Sequence, residues 1–132
     1  MPDWSIKIVQ SSSGEGAAFV PDLKGKSAGD PLECMADDLV TWNNTTKEEH
    51  QPWPADASYT ALPNDKVLPR GGPNYLSDII PAGGSSRPSY DVAQPAAVPP
   101  ATTPPAQWTV YYICALHPYV ETERGTIIGN AY

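Results

Sequence analysis

The sequence has few of the residues on which several classes of protein depend. It contains only two cysteines in 132 residues, which excludes a framework of several disulfides. Eight basic residues against fifteen acidic ones give a net charge of −7, which disfavours binding to nucleic-acid phosphates and favours a cationic partner. The same charge would also keep a small protein soluble. No apolar run reaches the roughly 20 residues that a membrane-spanning helix needs.

Proline, glycine and polar aromatic residues are abundant instead. The chain has sixteen Pro, ten Gly, seven Tyr and four Trp, but only one Phe. Proline and glycine disfavour long helices, whereas Tyr and Trp are favoured in strands. A chain of this length suits one compact domain. We therefore expect a single all-β domain that spans residues 1–132.

Alternation of apolar and polar side chains predicts about eight short strands, the number typical of a Greek-key β-sandwich. Segment 108–114 is the strongest of these. Segments 51–72 and 94–107 are rich in proline, so we expect the first to be irregular and the second to be a surface loop. The other predicted strands are 4–9, 17–20, 32–34, 39–42, 75–80, 89–92 and 125–128.

The only two histidines, together with one cysteine, indicate a metal site. His117 lies three residues after Cys114, which ends the strongest strand, and His50 lies far upstream at the end of a polar loop. Two imidazoles and one thiolate are the ligands of trigonal copper sites that transfer electrons. By spacing alone, Cys-x-x-His could belong to a zinc site or to a nucleophilic cysteine. The further Cys and His residues of usual zinc sites and an oxyanion motif are both missing.

Four stretches around these residues resemble the cupredoxins, especially amicyanin and plastocyanin-like proteins. The stretch 112–119 (YICALHPY), followed by 124–128 (RGTII), resembles the family's copper loop and closing strand. The stretch 37–44 (DDLVTWNN) resembles the strand that leads to the first histidine ligand, here His50. The stretch 80–85 (IPAGGS) resembles a further strand end. The resemblance covers most of the chain in the right order.

This resemblance implies a fold, a cofactor and a function. The fold is a β-sandwich of the cupredoxin type, and the cofactor is one copper ion. The implied function is electron transfer rather than enzymatic catalysis, with a redox partner such as a cytochrome or a copper oxidase. We expect a monomer in the periplasm or another extracytoplasmic compartment. The chain starts Met1-Pro2-Asp3-Trp4, and we expect a leader to have been removed before it.

The sequence departs from the family at the axial position of the copper ion. The family has a methionine soon after the loop histidine, but the only methionines here are Met1 and Met35. The family's Met-Arg-Gly-apolar pattern aligns with residues 123–126 (ERGT), which puts Glu123 at the axial position. Glu121, a backbone carbonyl, water or no ligand are the alternatives. The predicted ligands are His50, Cys114, His117 and Glu123.

A carboxylate ligand would change the chemistry of the site. Its oxygen favours Cu(II) over Cu(I) more than a thioether does, which lowers the reduction potential and shifts the colour from blue towards green or red. An alternative is a red or green copper protein with an open position for a small ligand such as nitric oxide. A copper carrier is a third function to consider.

Three further features bear on the site. Cys34 shares a strand face with Leu32 and is expected to be a small buried hydrophobe. A Cys34–Cys114 disulfide is the rival interpretation, and it would destroy the metal site. The resemblance implies that an asparagine at 43 or 44 links the first histidine loop to the cysteine loop. Apolar residues flank both histidines and are expected to form the docking surface for a redox partner: Pro52, Trp53, Pro54, Pro118 and Tyr119.

Overall fold

The computed structural model describes residues 3–11 and 16–132. Within these ranges the chain forms eight strands and one short helix, α1 (Asn64–Val67). The strands are β1 (Asp3–Gln10), β2 (Ala17–Pro21), β3 (Leu32–Met35), β4 (Leu39–Asn44), β5 (Pro52–Ala55), β6 (Tyr90–Asp91), β7 (Gln107–Cys114) and β8 (Arg124–Asn130).

Two four-stranded sheets face each other. One has the strand order β2-β1-β4-β6, and the other has the order β3-β8-β7-β5. Strand β1 is parallel to β4 and β3 is parallel to β8, whereas the other pairs are antiparallel. The prediction of an all-β sandwich with about eight strands is confirmed.

The core between the sheets is built from the alternating apolar residues of the strands. Aromatic rings join its two halves, because Trp42 of β4 and Tyr112 of β7 pack edge to face with ring centroids 5.3 Å apart. Phe19 of β2 packs on Tyr112 in the same way, at 5.0 Å. Such pairs add stability beyond the area they bury. Two strands of the opposite sheet therefore hold β7 through Tyr112, two residues before the strand ends at Cys114, which is fully buried.

The prediction that segment 51–72 is wholly irregular is wrong for strand β5. Pro52 and Pro54 argue against a strand, but β5 lies at the edge of its sheet, where β7 is its one neighbouring strand. On its other side β5 has an isolated bridge from Ala55 to Ala61. The carbonyl of Pro54 accepts a hydrogen bond from Leu62 N, so this carbonyl faces away from β7. The missing N–H of proline would face the same way. Proline is tolerated at such positions because no ladder hydrogen bond is lost.

The predicted strand at 75–80 is also wrong. Its only strand-like pairing among the described residues is an isolated bridge between Ile80 and His50. Leu76 and Ile80 are buried, and their burial accounts for the apolar pattern that resembles a strand. The backbone carbonyl of Ser77 accepts a hydrogen bond from the Gln51 side chain. The segment therefore anchors loops near His50 and adds no strand to either sheet.

The two cysteines are both free. Cys34 lies in the core on β3 with 2% exposure, so the prediction of a small buried hydrophobe is confirmed. The rival disulfide with Cys114 is wrong. Burial raises the pKa of the Cys34 thiol to about 12, which keeps it protonated. Cys114 is thus the thiol that remains for chemistry.

The described part of the chain has no helix of the length and apolarity that crossing a bilayer requires.

A buried serine fixes the chain against β4 and provides a test of the packing. Ser86 Oγ accepts a hydrogen bond from Trp42 N at 2.8 Å. We expect Ser86→Ala to lower the free energy of unfolding by about 1–3 kcal/mol, because it leaves a buried backbone N–H unpaired. Ser85→Ala is the control, since that exposed hydroxyl donates only to the Asn43 side chain, and we expect a loss below about 0.5 kcal/mol. Urea unfolding measures both, and equal losses would contradict the assignment.

Candidate metal centre

Four side chains meet at one end of the sandwich. His50, Cys114, His117 and Glu123 each contribute a potential ligand atom, and these atoms all lie within 4.8 Å of one another. They are the four ligands that the sequence predicts. His50 lies in the loop between β4 and β5, where it bridges to Ile80, and the other three come from the end of β7 and the loop that follows it.

The loop after β7 explains the spacing of the last three residues. It consists of three consecutive turns, in which His117 N, Val120 N and Glu123 N donate to the carbonyls of Cys114, His117 and Val120, respectively. Each turn advances three residues, so positions 114, 117 and 123 return to the same side of the loop. Glu121 lies inside the third turn, between Val120 and Glu123, and is exposed. The structure therefore brings Glu123, and not Glu121, to the cluster.

The distances between ligand atoms suit a single ion. Glu123 Oε1 lies 3.1 Å from His50 Nδ1 and 3.0 Å from His117 Nδ1. Cys114 Sγ lies 3.7 Å from His50 Nδ1 and 3.5 Å from His117 Nδ1. Ligands bound at about 2.0–2.3 Å are separated by distances of this size. The donor set of one thiolate, two imidazoles and one carboxylate therefore fits a copper or zinc ion.

Three of the four side chains are sealed from solvent. His50, Cys114 and Glu123 are at most 1% exposed, whereas 30% of the His117 side chain is accessible. Beside His117, the side chains of Leu116 and Tyr119 are exposed, Tyr119 almost completely. One imidazole edge is thus the route by which the buried centre reaches the surface.

Hydrogen bonds inside the cluster keep Glu123 ionised. Burial would raise the pKa of Glu123, but hydrogen bonds from His50, the Ala17 N–H and His117 outweigh it and hold this pKa below its ordinary value. Burial would lower the pKa of His50, but hydrogen bonds with Cys114 and Glu123 raise it to about 9. A proton on His50 therefore balances the carboxylate, and a metal ion would take the place of that proton.

The side chain of Thr46 fixes the ring of His50. His50 Nε2 lies 3.0 Å from Thr46 Oγ1, and that hydroxyl donates to Asn44 Oδ1 at 2.7 Å. Thr46 therefore accepts the hydrogen bond from His50, so Nε2 carries a proton and Nδ1 has its lone pair free for an ion when the ring is neutral. Outer contacts of this kind orient metal-bound histidines.

The predicted hydrogen bond from an asparagine to the cysteine loop is replaced by hydrogen bonds of Gln51. Asn44 Nδ2 donates to carbonyls of its own loop and of Ile80 and Pro81. The hydrogen bonds that reach the cysteine loop come instead from Gln51, whose N–H donates to Cys114 Sγ at 3.4 Å and whose carbonyl accepts from Ala115 N at 2.9 Å. The sequence gives no signal for Gln51, because its role depends on the unpredicted strand β5.

The chain is similar to known proteins in its structure. No family model and no curated protein matches the chain. The structure of a purple cupredoxin from Nitrosopumilus maritimus is similar, with a TM-score of 0.52, 14% identity, and coverage of 97% of this chain and 98% of that chain. An amicyanin variant described as Cu(I) has a TM-score of 0.44 and 19% identity, over 82% and 76% of the two chains. A multicopper oxidase from Aquifex aeolicus has a TM-score of 0.48 and 14% identity, over 98% of this chain and 26% of the oxidase. The match to the purple cupredoxin shows that this chain has the cupredoxin fold.

Proposed function

We propose that the protein binds one copper ion through His50, Cys114, His117 and Glu123 and carries single electrons outside the cytoplasm. The observation that supports this most strongly is the convergence of one thiolate and two imidazole Nδ1 atoms, with a carboxylate oxygen, within 4.8 Å. Bound copper would supply the one-electron Cu(II)/Cu(I) couple. The residues of the chain would hold the ion, exclude water and connect it to the surface.

The ligands are held as a fast electron carrier requires. Cys114 ends a strand that pairs on both sides, with β5 and with β8. Its Sγ accepts a hydrogen bond from Gln51 N, and His50 is fixed through Thr46. Ligands that cannot move between oxidation states keep the reorganisation small, which favours rapid transfer. The same rigidity distinguishes a carrier of electrons from a carrier of copper, whose ligands need to be accessible for release.

The surface around His117 suits a transient redox partner. The exposed imidazole edge lies beside Leu116 and Tyr119, and an apolar rim of this kind suits short-lived contacts. The carboxylate of Glu48 lies 3.8 Å from His117 Nε2. The net charge of −7 favours a cationic partner. A cytochrome or a copper oxidase with a basic docking surface fits this description.

Glu123 sets the expected redox properties. Together with the Cys114 thiolate it contributes two negative charges, which balance Cu(II) and leave one charge unbalanced with Cu(I). In a buried site that imbalance is unfavourable, and the oxygen donor itself prefers the harder Cu(II) ion. We therefore expect a low reduction potential and a red or green colour. An open site for nitric oxide would need the position that this carboxylate takes, so that alternative is less favoured.

Replacing each of the two cysteines in turn tests whether copper is bound as proposed. The copper(II)-loaded protein should show an intense visible absorption from thiolate-to-copper charge transfer, together with a thiolate-type electron paramagnetic resonance spectrum. Cys114→Ser should abolish the absorption, because it removes the thiolate. Cys34→Ser should retain it, since that thiol is buried in the core away from the cluster. A wild-type protein without this absorption would contradict the proposal, as would its loss in the Cys34 variant alone.

Substitutions of Glu123 and of the control residue Glu121 test which glutamate is the axial ligand. Glu123→Gln should raise the reduction potential by on the order of 100 mV, because a charge a few ångströms from the ion contributes on the order of 2–4 kcal/mol at the effective dielectric of a protein site. Glu123→Met should also shift the absorption towards blue. Glu121→Gln is the control, and its exposed charge should have a far smaller effect because solvent and salt screen it. Voltammetry measures the reduction potentials of all three variants, and visible absorption spectroscopy measures the colour of Glu123→Met. Equal shifts at 121 and 123 would contradict the assignment.

A further inference from the structure

The two oxygens of the Glu123 carboxylate have different surroundings. Oε1 faces the cluster, 3.1 Å from His50 Nδ1 and 3.0 Å from His117 Nδ1. Oε2 faces the other way and accepts a hydrogen bond from the backbone N–H of Ala17 at 3.1 Å. This donor is 106 positions away in the sequence, on the first residue of β2. The carboxylate is thus held from both ends, one in the metal centre and one in the backbone of the opposite sheet.

Gly16 makes this approach of the two backbones feasible. Its φ of +66° is a left-handed conformation that residues with a side chain rarely adopt. A Cβ at this position would lie 2.5 Å from Val120 Cγ1 and 2.7 Å from Glu123 Oε2. Both contacts are too short, so any side chain would displace the carboxylate or the turn that contains it. Gly16 therefore leaves the space into which Oε2 fits.

The start of β2 is itself firmly placed. Ala17 pairs with Gln10 of β1, and the carbonyl of Gly16 accepts a hydrogen bond from Ser11 N at 3.1 Å. Ala17 is buried with 2% exposure, and β2 also packs against β8, the strand that directly follows Glu123. A donor on this framework cannot follow the carboxylate if it rotates.

We propose that the backbone of Gly16–Ala17 is a positioning element for the axial ligand. The Ala17 N–H retains Oε2, so Glu123 presents only Oε1 to the ion and remains a one-oxygen ligand in both oxidation states. Without this hydrogen bond, the carboxylate is free to bind through both oxygens or to leave the ion on reduction. The inference rests on the proposed copper site. It assigns the unchanged binding mode of Glu123 to two residues that contribute no side-chain ligand.

Gly16→Ala tests the positioning role in the copper-loaded protein. We expect its reduction potential and charge-transfer spectrum to move in the same direction as those of Glu123→Gln, with at least half of that potential shift. The matched control is Gly29→Ala. Gly29 also has a positive φ, +78°, but a Cβ there would meet nothing within 4 Å. The control shares the backbone strain without the collision and should keep the wild-type potential. A wild-type potential and spectrum in Gly16→Ala would overturn the proposal.

Amide hydrogen exchange gives a second test that needs no metal and does not depend on the folding of the Gly16 variant. In the metal-free protein, the Ala17 amide should exchange at least tenfold faster in Glu123→Ala than in the wild type, while amides elsewhere in β2 keep their rates. An unchanged Ala17 rate would overturn the inference even if copper binds. Conversely, a protein that shows the faster exchange but no thiolate-to-copper absorption would refute the proposed function and leave the contact between Ala17 and Glu123 established.

Discussion

The centre depends on the hydrogen bonds that hold the buried carboxylate of Glu123 between the two histidines and the start of β2. An ionised group with 1% exposure is stable only when charge and hydrogen bonds compensate for the lost water. Here the compensation comes from His50, His117 and the Ala17 N–H. Because the neighbouring Cys114 is a second potential anion, the cluster as a whole favours a cation. The same carboxylate gives a chain without a nearby methionine a fourth potential ligand atom.

Both sheets contribute to this arrangement. The sheet that contains β7 and β8 supplies Cys114 and the loop that ends at Glu123. The other sheet supplies His50 after β4 and the hydrogen-bond donor at the start of β2. The aromatic contact between Trp42 and Tyr112 fixes the two sheets relative to each other. The geometry of the centre is therefore a property of the whole sandwich, although all of the ligand atoms lie at one end of it.

The parts that the sequence predicts are those with a local pattern. Alternation identifies β1 and β7, and the Cys114-x-x-His117 spacing identifies the thiolate and one imidazole. Glu123 follows from the resemblance of residues 123–126 to the cupredoxin pattern that precedes the closing strand. Strand β5 is missed because its two prolines oppose the usual strand pattern and are tolerated only at a sheet edge. The contacts of Ala17 and Gln51 are missed because they come from backbone N–H groups, which every residue except proline has. Gly16 is missed because a glycine in a turn does not show which distant group lies against it.

The most direct test of the shared ion is X-ray absorption at the copper edge, recorded for the oxidised and the reduced protein. We expect one sulfur neighbour and three nitrogen or oxygen neighbours, two of which give the outer scattering of imidazole rings. We expect the same set after reduction. A spectrum without a sulfur neighbour would contradict a shared ion, because Cys114 would then not bind it together with His50, His117 and Glu123.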